Sequence, residues 1–139
     1  MEETQAPRRS ITAPIAVGEL IDKISILEIK AERIADPAKL DNVNAELRLL
    51  NEIKSAAGLD TPDMKTLAEE LKNVNAALWD VEDEIRELEV RHDFGDRFVA
   101  LARSVYLTND RRSRIKQSIN LKYGSEIVEE KSYAGKQSP

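Results

Sequence analysis

The stretch from Met64 to Leu88 constrains the fold most, because its apolar residues recur at alternating steps of three and four, the spacing of a coiled coil. They are Met64, Leu67, Leu71, Val74, Leu78, Val81, Ile85 and Leu88. This pattern predicts one long helix with an apolar edge, along which the other segments are expected to lie. Thr61 as N-cap and Pro62 in the first turn mark its start, and His92 lies at its expected end.

Three further helices are predicted from the same kinds of signal. Asp36 and Pro37 repeat the pattern of a cap followed by proline, and Gly58 and Gly124 are placed to end two of the helices. We expect helices at about 17–34, 37–57 and 62–92, and a fourth that follows an N-cap at Asp93 or Asp96 and runs to about residue 123. The predicted fold is therefore all-α, an antiparallel four-helix bundle or a pair of helical hairpins with extended termini. The predicted divisions are a flexible lead-in at 1–16, a helical domain at 17–124 and a partly docked tail at 125–139.

The composition excludes several kinds of protein. The 139 residues contain no cysteine and a single histidine, His92, so thiol catalysis, cysteine zinc sites and two-histidine metal sites lack their residues. The net charge of −5 argues against nucleic acid as a partner, because phosphate neutralisation dominates such binding. No apolar run approaches the ~20 residues of a membrane-spanning helix, and the first residues do not resemble a signal peptide. We therefore expect a cytoplasmic protein with no membrane span.

Polar residues interrupt the apolar faces of several predicted helices. On helix four they are Thr108, Asn109, Arg112, Lys116 and Asn120. Glu28 and Glu46 fall within the apolar arcs of helices one and two, and Asn75 and Glu82 lie beside the apolar edge of helix three. Burying such groups is costly unless they are paired. Either the bundle splays and these side chains reach solvent, or they converge on an interior site.

If the polar residues do converge, their chemistry suggests two kinds of site. The candidate ligand-binding residues are Asn75, Asn109, Arg112, Lys116 and Asn120, in which the two cations would bind a phosphate and the amides would orient the ligand. The candidate metal ligands are Glu28, Glu46 and Glu82, which would hold Mg²⁺. Charge offers a structural alternative, since residues 62–92 carry −5 and residues 96–122 carry +5. Opposite charges favour helices three and four as neighbours.

Three segments resemble a known family. They read GELIDKISILEIK at 18–30, LWDVED at 78–83 and IVEEKSY at 127–133. Over about residues 15–133 the chain resembles an uncharacterised bacterial family of small helical proteins, described only as a domain of unknown function. The resemblance implies a bacterial helical protein but no activity. Members of that family are sometimes encoded near glycosyltransferases and other cell-envelope glycan genes, which implies a role linked to glycans.

Two classes of function remain open. A non-enzymatic interaction or assembly module explains the apolar edges, caps and charge pattern, and it requires no cofactor. The alternative is a magnesium-dependent phosphohydrolase or ligand-binding bundle acting on a nucleotide or sugar nucleotide. Residues 19–22 are similar to part of the Glu-x-x-Asp element of all-α nucleoside triphosphate pyrophosphatases, but the matching Glu-x-x-Glu element is not recognisable. Ile26 and Ile29 lie opposite the main apolar face of helix one, which predicts a homodimer or a protein partner.

Overall fold

The computed structural model describes residues 4–132, and within them the only regular elements are four helices. Their bounds are Val17–Arg33 (α1), Pro37–Ala56 (α2), Pro62–Val90 (α3) and Asp96–Lys122 (α4). Each lies within two residues of its predicted limits, and the helices pack against one another. The prediction of an all-α helical bundle is confirmed. No helix in these residues is both long and apolar enough to cross a membrane.

The predicted caps explain why the helices begin where they do. The Asp36 carboxylate accepts a hydrogen bond from the Ala38 N–H at 3.1 Å, and the Thr61 hydroxyl accepts one from the Met64 N–H at 3.1 Å. Both caps precede a proline in the first helical turn. Two residues after α3 ends at Val90, His92 adopts a φ of +54°, which lets the Asp93 N–H donate to the Leu88 carbonyl. His92 therefore ends the helix through its backbone conformation.

α1, rather than α3, is the helix around which the bundle is organised. It packs against all three other helices, whereas the α2 backbone approaches α1 alone. Because α1 is covered on several sides, Ile29 is only 1% exposed and Ile26 is half-buried. The inference that these two isoleucines form a strip left for a second copy is therefore wrong. The central core is made by Leu20, Ile21, Ile24, Leu59, Met64, Leu71 and Ile119.

The last ten residues of α3 make no described hydrogen bond or ion pair with α1. Arg33, the last residue of α1, pairs with Asp80 at 2.6 Å and lies over the Trp79 ring at 5.8 Å. Hydrogen bonds and ion pairs between α1 and α3 in residues 4–132 reach no further than Asp80, ten residues before α3 ends at Val90. We call residues 81–107, which include the end of α3 and the start of α4, the distal hairpin. The buried apolar residues of the distal hairpin are Leu88 and Leu101.

The segment after α4 returns to the start of α1. The Ser125 hydroxyl accepts a hydrogen bond from the Val17 N–H at 3.0 Å and donates one to the Ile127 carbonyl at 2.6 Å. Residues 125–132 thus contact the helical domain, while Tyr133, on which the predicted docking of the tail also depended, lies outside the described residues. Residues 4–15 are exposed and non-helical.

Candidate functional site at the junction of α1 and α4

A buried aspartate lies at the centre of the polar interior. Asp22 on α1 is 1% exposed, and its carboxylate accepts hydrogen bonds from the Arg112 Nε at 2.9 Å and from the Arg112 Nη2. The Asn75 amide donates a further hydrogen bond to Asp22 at 2.9 Å. A buried carboxylate is tolerated only when donors replace the lost water, and α3 and α4 supply three such donors.

Ser25 connects the same groups one turn further along α1. Its hydroxyl donates to the Asp22 carbonyl at 2.8 Å and accepts from the Asn75 amide at 2.8 Å. Throughout residues 4–132, every buried side-chain nitrogen and oxygen has a hydrogen-bond partner. The network of Asp22, Ser25, Asn75 and Arg112 is therefore satisfied within the chain, and it fixes α1, α3 and α4 relative to one another.

Lys116 lies one helical turn from Arg112 and meets further carboxylates. Its Nζ donates to Glu19 at 2.6 Å and lies 3.3 Å from Glu129 and 4.0 Å from Asp22. Burial alone would lower the pKa of Lys116, but the hydrogen bond that it donates to Glu19 and the nearby negative charges raise the pKa overall. The hydrogen bonds with Asp22 are the main cause of a raised pKa at Arg112. Both cations remain charged and paired.

The start of α1 is capped by residues from the other end of the chain. Ala16 at the N-cap offers no side-chain acceptor. Instead, the Asn120 Oδ1 accepts the Gly18 N–H at 2.7 Å, and Ser125 accepts the neighbouring Val17 N–H. A Cβ atom at Gly18 would lie 2.6 Å from the Lys116 carbonyl oxygen, so only glycine permits this close approach of α1 to α4.

The structure brings the five predicted ligand residues to one junction. Asn75 and Arg112 bind Asp22, the Asn109 Oδ1 lies 3.4 Å from Arg112, and Lys116 and Asn120 follow along α4. The sequence prediction missed their partners, which are Gly18, Glu19, Asp22, Ser25, Ser125 and Glu129. Two of these partners could have been predicted from the sequence. Ser25 and Asp22 lie four and seven residues before Ile29, and therefore on the same side of α1. An apolar residue on that side marks it as buried.

The three predicted metal ligands do not come together. Glu28 is half-buried near Lys72, whose pKa is raised mainly by its hydrogen bond to Glu32 and further by the negative charge of Glu28. Glu46 on α2 and Glu82 on α3 are exposed. No group of three acidic or histidine side chains in residues 4–132 is arranged to hold a metal ion. Within the described residues, these three carboxylates therefore do not form a common metal site.

A small cavity opens beside the polar network, between α4 and the tail. Its volume is about 180 Å³. It is lined by Arg112, Ser113, Lys116, Gln117 and Asn120 from α4 and by Glu129, Glu130 and Lys131 from the tail. Three of the predicted ligand residues thus border a space that a small molecule can enter.

The comparisons with known proteins identify a family but no activity. A protein-family model described as "Family of unknown function (DUF6165)" matches residues 11–139. The chain belongs to this family. The predicted membership of an uncharacterised family is confirmed, and the family match includes all four helices and the whole polar network. No curated protein and no solved structure matches the chain.

The raised pKa of Lys116 leads to a testable pH dependence. We expect Lys116→Met to lower the free energy of unfolding by about 2 kcal/mol at pH 7, because it removes a charged hydrogen bond from a site 15% exposed. A lysine whose folded-state pKa is raised stabilises fully below its ordinary value of 10.5, and the contribution is lost as pH rises through the folded-state pKa. The difference from wild type should therefore shrink above pH 10.5.

Urea unfolding followed by circular dichroism at several pH values measures this difference. Lys65→Met, at an exposed position of the neighbouring helix α3, serves as the control and should have little effect at any pH. A difference for Lys116→Met that stays constant from pH 7 to beyond pH 11 would contradict the assigned role of its charge.

Proposed function

We propose that the protein is a non-enzymatic interaction module that assembles with a second copy of itself through the distal hairpin. The supporting observation is a strip of exposed apolar side chains on this part of the molecule. Val99, Tyr106 and Leu107 are half-exposed and recur at helical spacing on the outer side of α4. Val90, at the end of α3, is 79% exposed, and Phe94 in the loop between them is half-exposed. Apolar strips of this kind are commonly covered by a partner.

The state of the polar interior supports a structural role for it. Arg112 is neutralised by Asp22, and Lys116 is neutralised by Glu19. These pairs compensate the burial of the two cations and of Asp22. The presence of these polar residues on the apolar faces is therefore explained by pairing within the chain, without a catalytic role.

Charge complementarity favours a second copy as the partner. The exposed acidic residues of the distal hairpin on α3 are Glu82, Asp83, Glu87 and Glu89, and the exposed basic residues of the distal hairpin on α4 are Arg97 and Arg103. A two-fold axis that packs α3 of one copy against α4 of the other brings acidic and basic surfaces together twice. The apolar strip would lie between the two charged zones.

The alternative of a magnesium-dependent phosphohydrolase has no comparable support. It requires carboxylates that converge, whereas Glu46 and Glu82 are exposed on different helices. The cytoplasmic location, the bacterial origin and the link to cell-envelope glycans stay predictions. An assembly module is compatible with each of them.

Light scattering tests the proposed assembly. At micromolar concentration we expect wild type to have twice the 15.6 kDa mass of one chain. Tyr106→Glu should weaken the dimer more than tenfold, because it removes an aromatic contact and places an unpaired charge in the interface. The matched control is Leu121→Glu, since Leu121 is 81% exposed on the same helix but outside the distal hairpin.

Circular dichroism should show that both variants remain as helical as wild type. The proposal predicts a monomer for Tyr106→Glu and a dimer for Leu121→Glu. A wild-type mass of one chain at about 100 µM, or equal association of Tyr106→Glu and wild type, would overturn it.

A further inference from the structure

We infer that the cavity between α4 and the tail is a binding site for a small carboxylate, and that Glu129 of the tail, which lines the cavity, competes with that ligand for Lys116. The volume of about 180 Å³ equals roughly six water molecules. The α4 wall is rich in donors, because Arg112, Lys116, Gln117 and the Ser113 hydroxyl all face it. Such a wall suits a small ligand that carries hydrogen-bond acceptors.

The cation at this wall is held in place without the tail. Lys116 is 15% exposed on its side chain, and its short hydrogen bond to Glu19 on α1 fixes the ammonium group. Asn120 is also fixed, because its Oδ1 accepts the Gly18 N–H. These groups are therefore arranged before any ligand arrives, which reduces the entropy cost of binding.

Glu129 already places a carboxylate against this wall, but the contact is weak. Its Oε1 lies 3.3 Å from the Lys116 Nζ, compared with 2.6 Å for Glu19. The Glu129 side chain is 49% exposed and belongs to a non-helical segment. Ion pairs of this exposure contribute little to stability, so a carboxylate in solution can compete with this one.

The charge balance favours a monocarboxylate over a dianion. Asp22 neutralises Arg112 and Glu19 neutralises Lys116, so the network is neutral before Glu129 is counted. A monocarboxylate that replaces Glu129 leaves the total charge unchanged. A phosphate dianion would add a second negative charge close to Asp22 and Glu19, which is unfavourable. Binding would also release Glu129 from Lys116, so occupancy of the cavity is coupled to the position of the Glu129 side chain.

Propionate tests the site directly, because it has the same atoms as the glutamate side chain beyond Cα. Titration of the ¹⁵N-labelled full chain by NMR should shift the amide signals of residues 113–120 and 128–131, with a Kd in the millimolar range. Propionamide, which has the same shape without the charge, should cause no such shifts. Inorganic phosphate should bind more weakly than propionate.

Variants separate competition by the tail from a general charge effect. Glu129→Gln should bind propionate roughly two to five times more tightly, because the competing carboxylate is gone. Glu126→Gln removes the same charge from an exposed tail position outside the cavity and should behave as wild type. Gln117→Glu adds a carboxylate to the cavity wall at an exposed position, so the chain should fold normally and propionate should bind more weakly.

Three results would overturn the inference. They are an absence of propionate-dependent shifts in Glu129→Gln at about 0.1 M propionate, equal responses to propionate and propionamide, and equal affinities of Glu129→Gln and Glu126→Gln. The first result would mean that the cavity does not bind propionate. The second would mean that binding does not depend on the charge of the ligand, and the third would mean that Glu129 does not compete with it. None of these results depends on whether the chain forms a dimer.

Discussion

Asp22→Ala is expected to lower the free energy of unfolding by about 3 kcal/mol, because breaking a buried charge pair leaves the charge of Arg112 without its partner. The substitution removes both contacts to Arg112 and one to Asn75. Arg112 keeps some access to water, which holds the cost near the lower end for buried pairs. For a chain of this length the melting temperature should fall by roughly 10 °C.

Asp80→Ala is the matched control for this prediction. Asp80 also pairs with an arginine on another helix, Arg33, but most of the Asp80 side chain is exposed. Exposed pairs contribute less than about 1 kcal/mol, so Asp80→Ala should unfold almost as wild type does. Thermal and urea unfolding of the two variants measure the difference. Equal losses for Asp22→Ala and Asp80→Ala would contradict the central role of the buried network.

Gly18→Ala is expected to cost about 2 kcal/mol, although alanine favours helices over glycine. The added Cβ would lie 2.6 Å from the Lys116 carbonyl oxygen and 3.0 Å from the Asn120 Oδ1. The nearest atom belongs to the backbone, so α1 must move away from α4 as a whole. That movement also weakens the hydrogen bond from the Gly18 N–H to Asn120.

Gly58→Ala gives a useful contrast, because the glycine there is required for a different reason. Its φ is +73° and nothing lies within 4 Å of an added Cβ, so only the backbone conformation is unfavourable. We expect a loss of about 1 kcal/mol without any change between α1 and α4. Hydrogen exchange should therefore show faster opening of the Val17 and Gly18 amides in Gly18→Ala alone. Unchanged exchange at these amides would contradict the predicted displacement of α1.

The helix boundaries could be predicted because their signals are local. Asp36 and Thr61 each cap a helix within three residues of themselves, so neither depends on how the helices pack. The central position of α1 was harder to predict, since the longest apolar repeat belongs to α3. The informative signal was instead the apolar side chains on two faces of α1, because a helix that is apolar on several sides is enclosed by its neighbours.

The candidate site could be predicted only in part, because its pairs depend on the rotation and register of the helices. Asn75 and Arg112 were expected to face inward, but Asp22 lies 53 and 90 positions from them. The same dependence on helix rotation and register explains why Glu46 and Glu82 were wrongly expected to face the interior. Glu46 is exposed because the α2 backbone approaches α1 alone, which leaves most of α2 in solvent. Glu82 is exposed because it lies in the distal hairpin, where α1 no longer covers α3.

The capping of α1 from the end of α4 has a consequence for how the chain acquires its structure during synthesis. The ribosome makes α1 first, yet the acceptors for the Gly18 and Val17 amides follow 102 and 108 residues later. Until Asn120 and Ser125 have emerged, the first turn of α1 lacks its hydrogen-bond partners and should fray. Closing so long a loop is slower than closing a helical hairpin, so we expect this end of α1 to become ordered last.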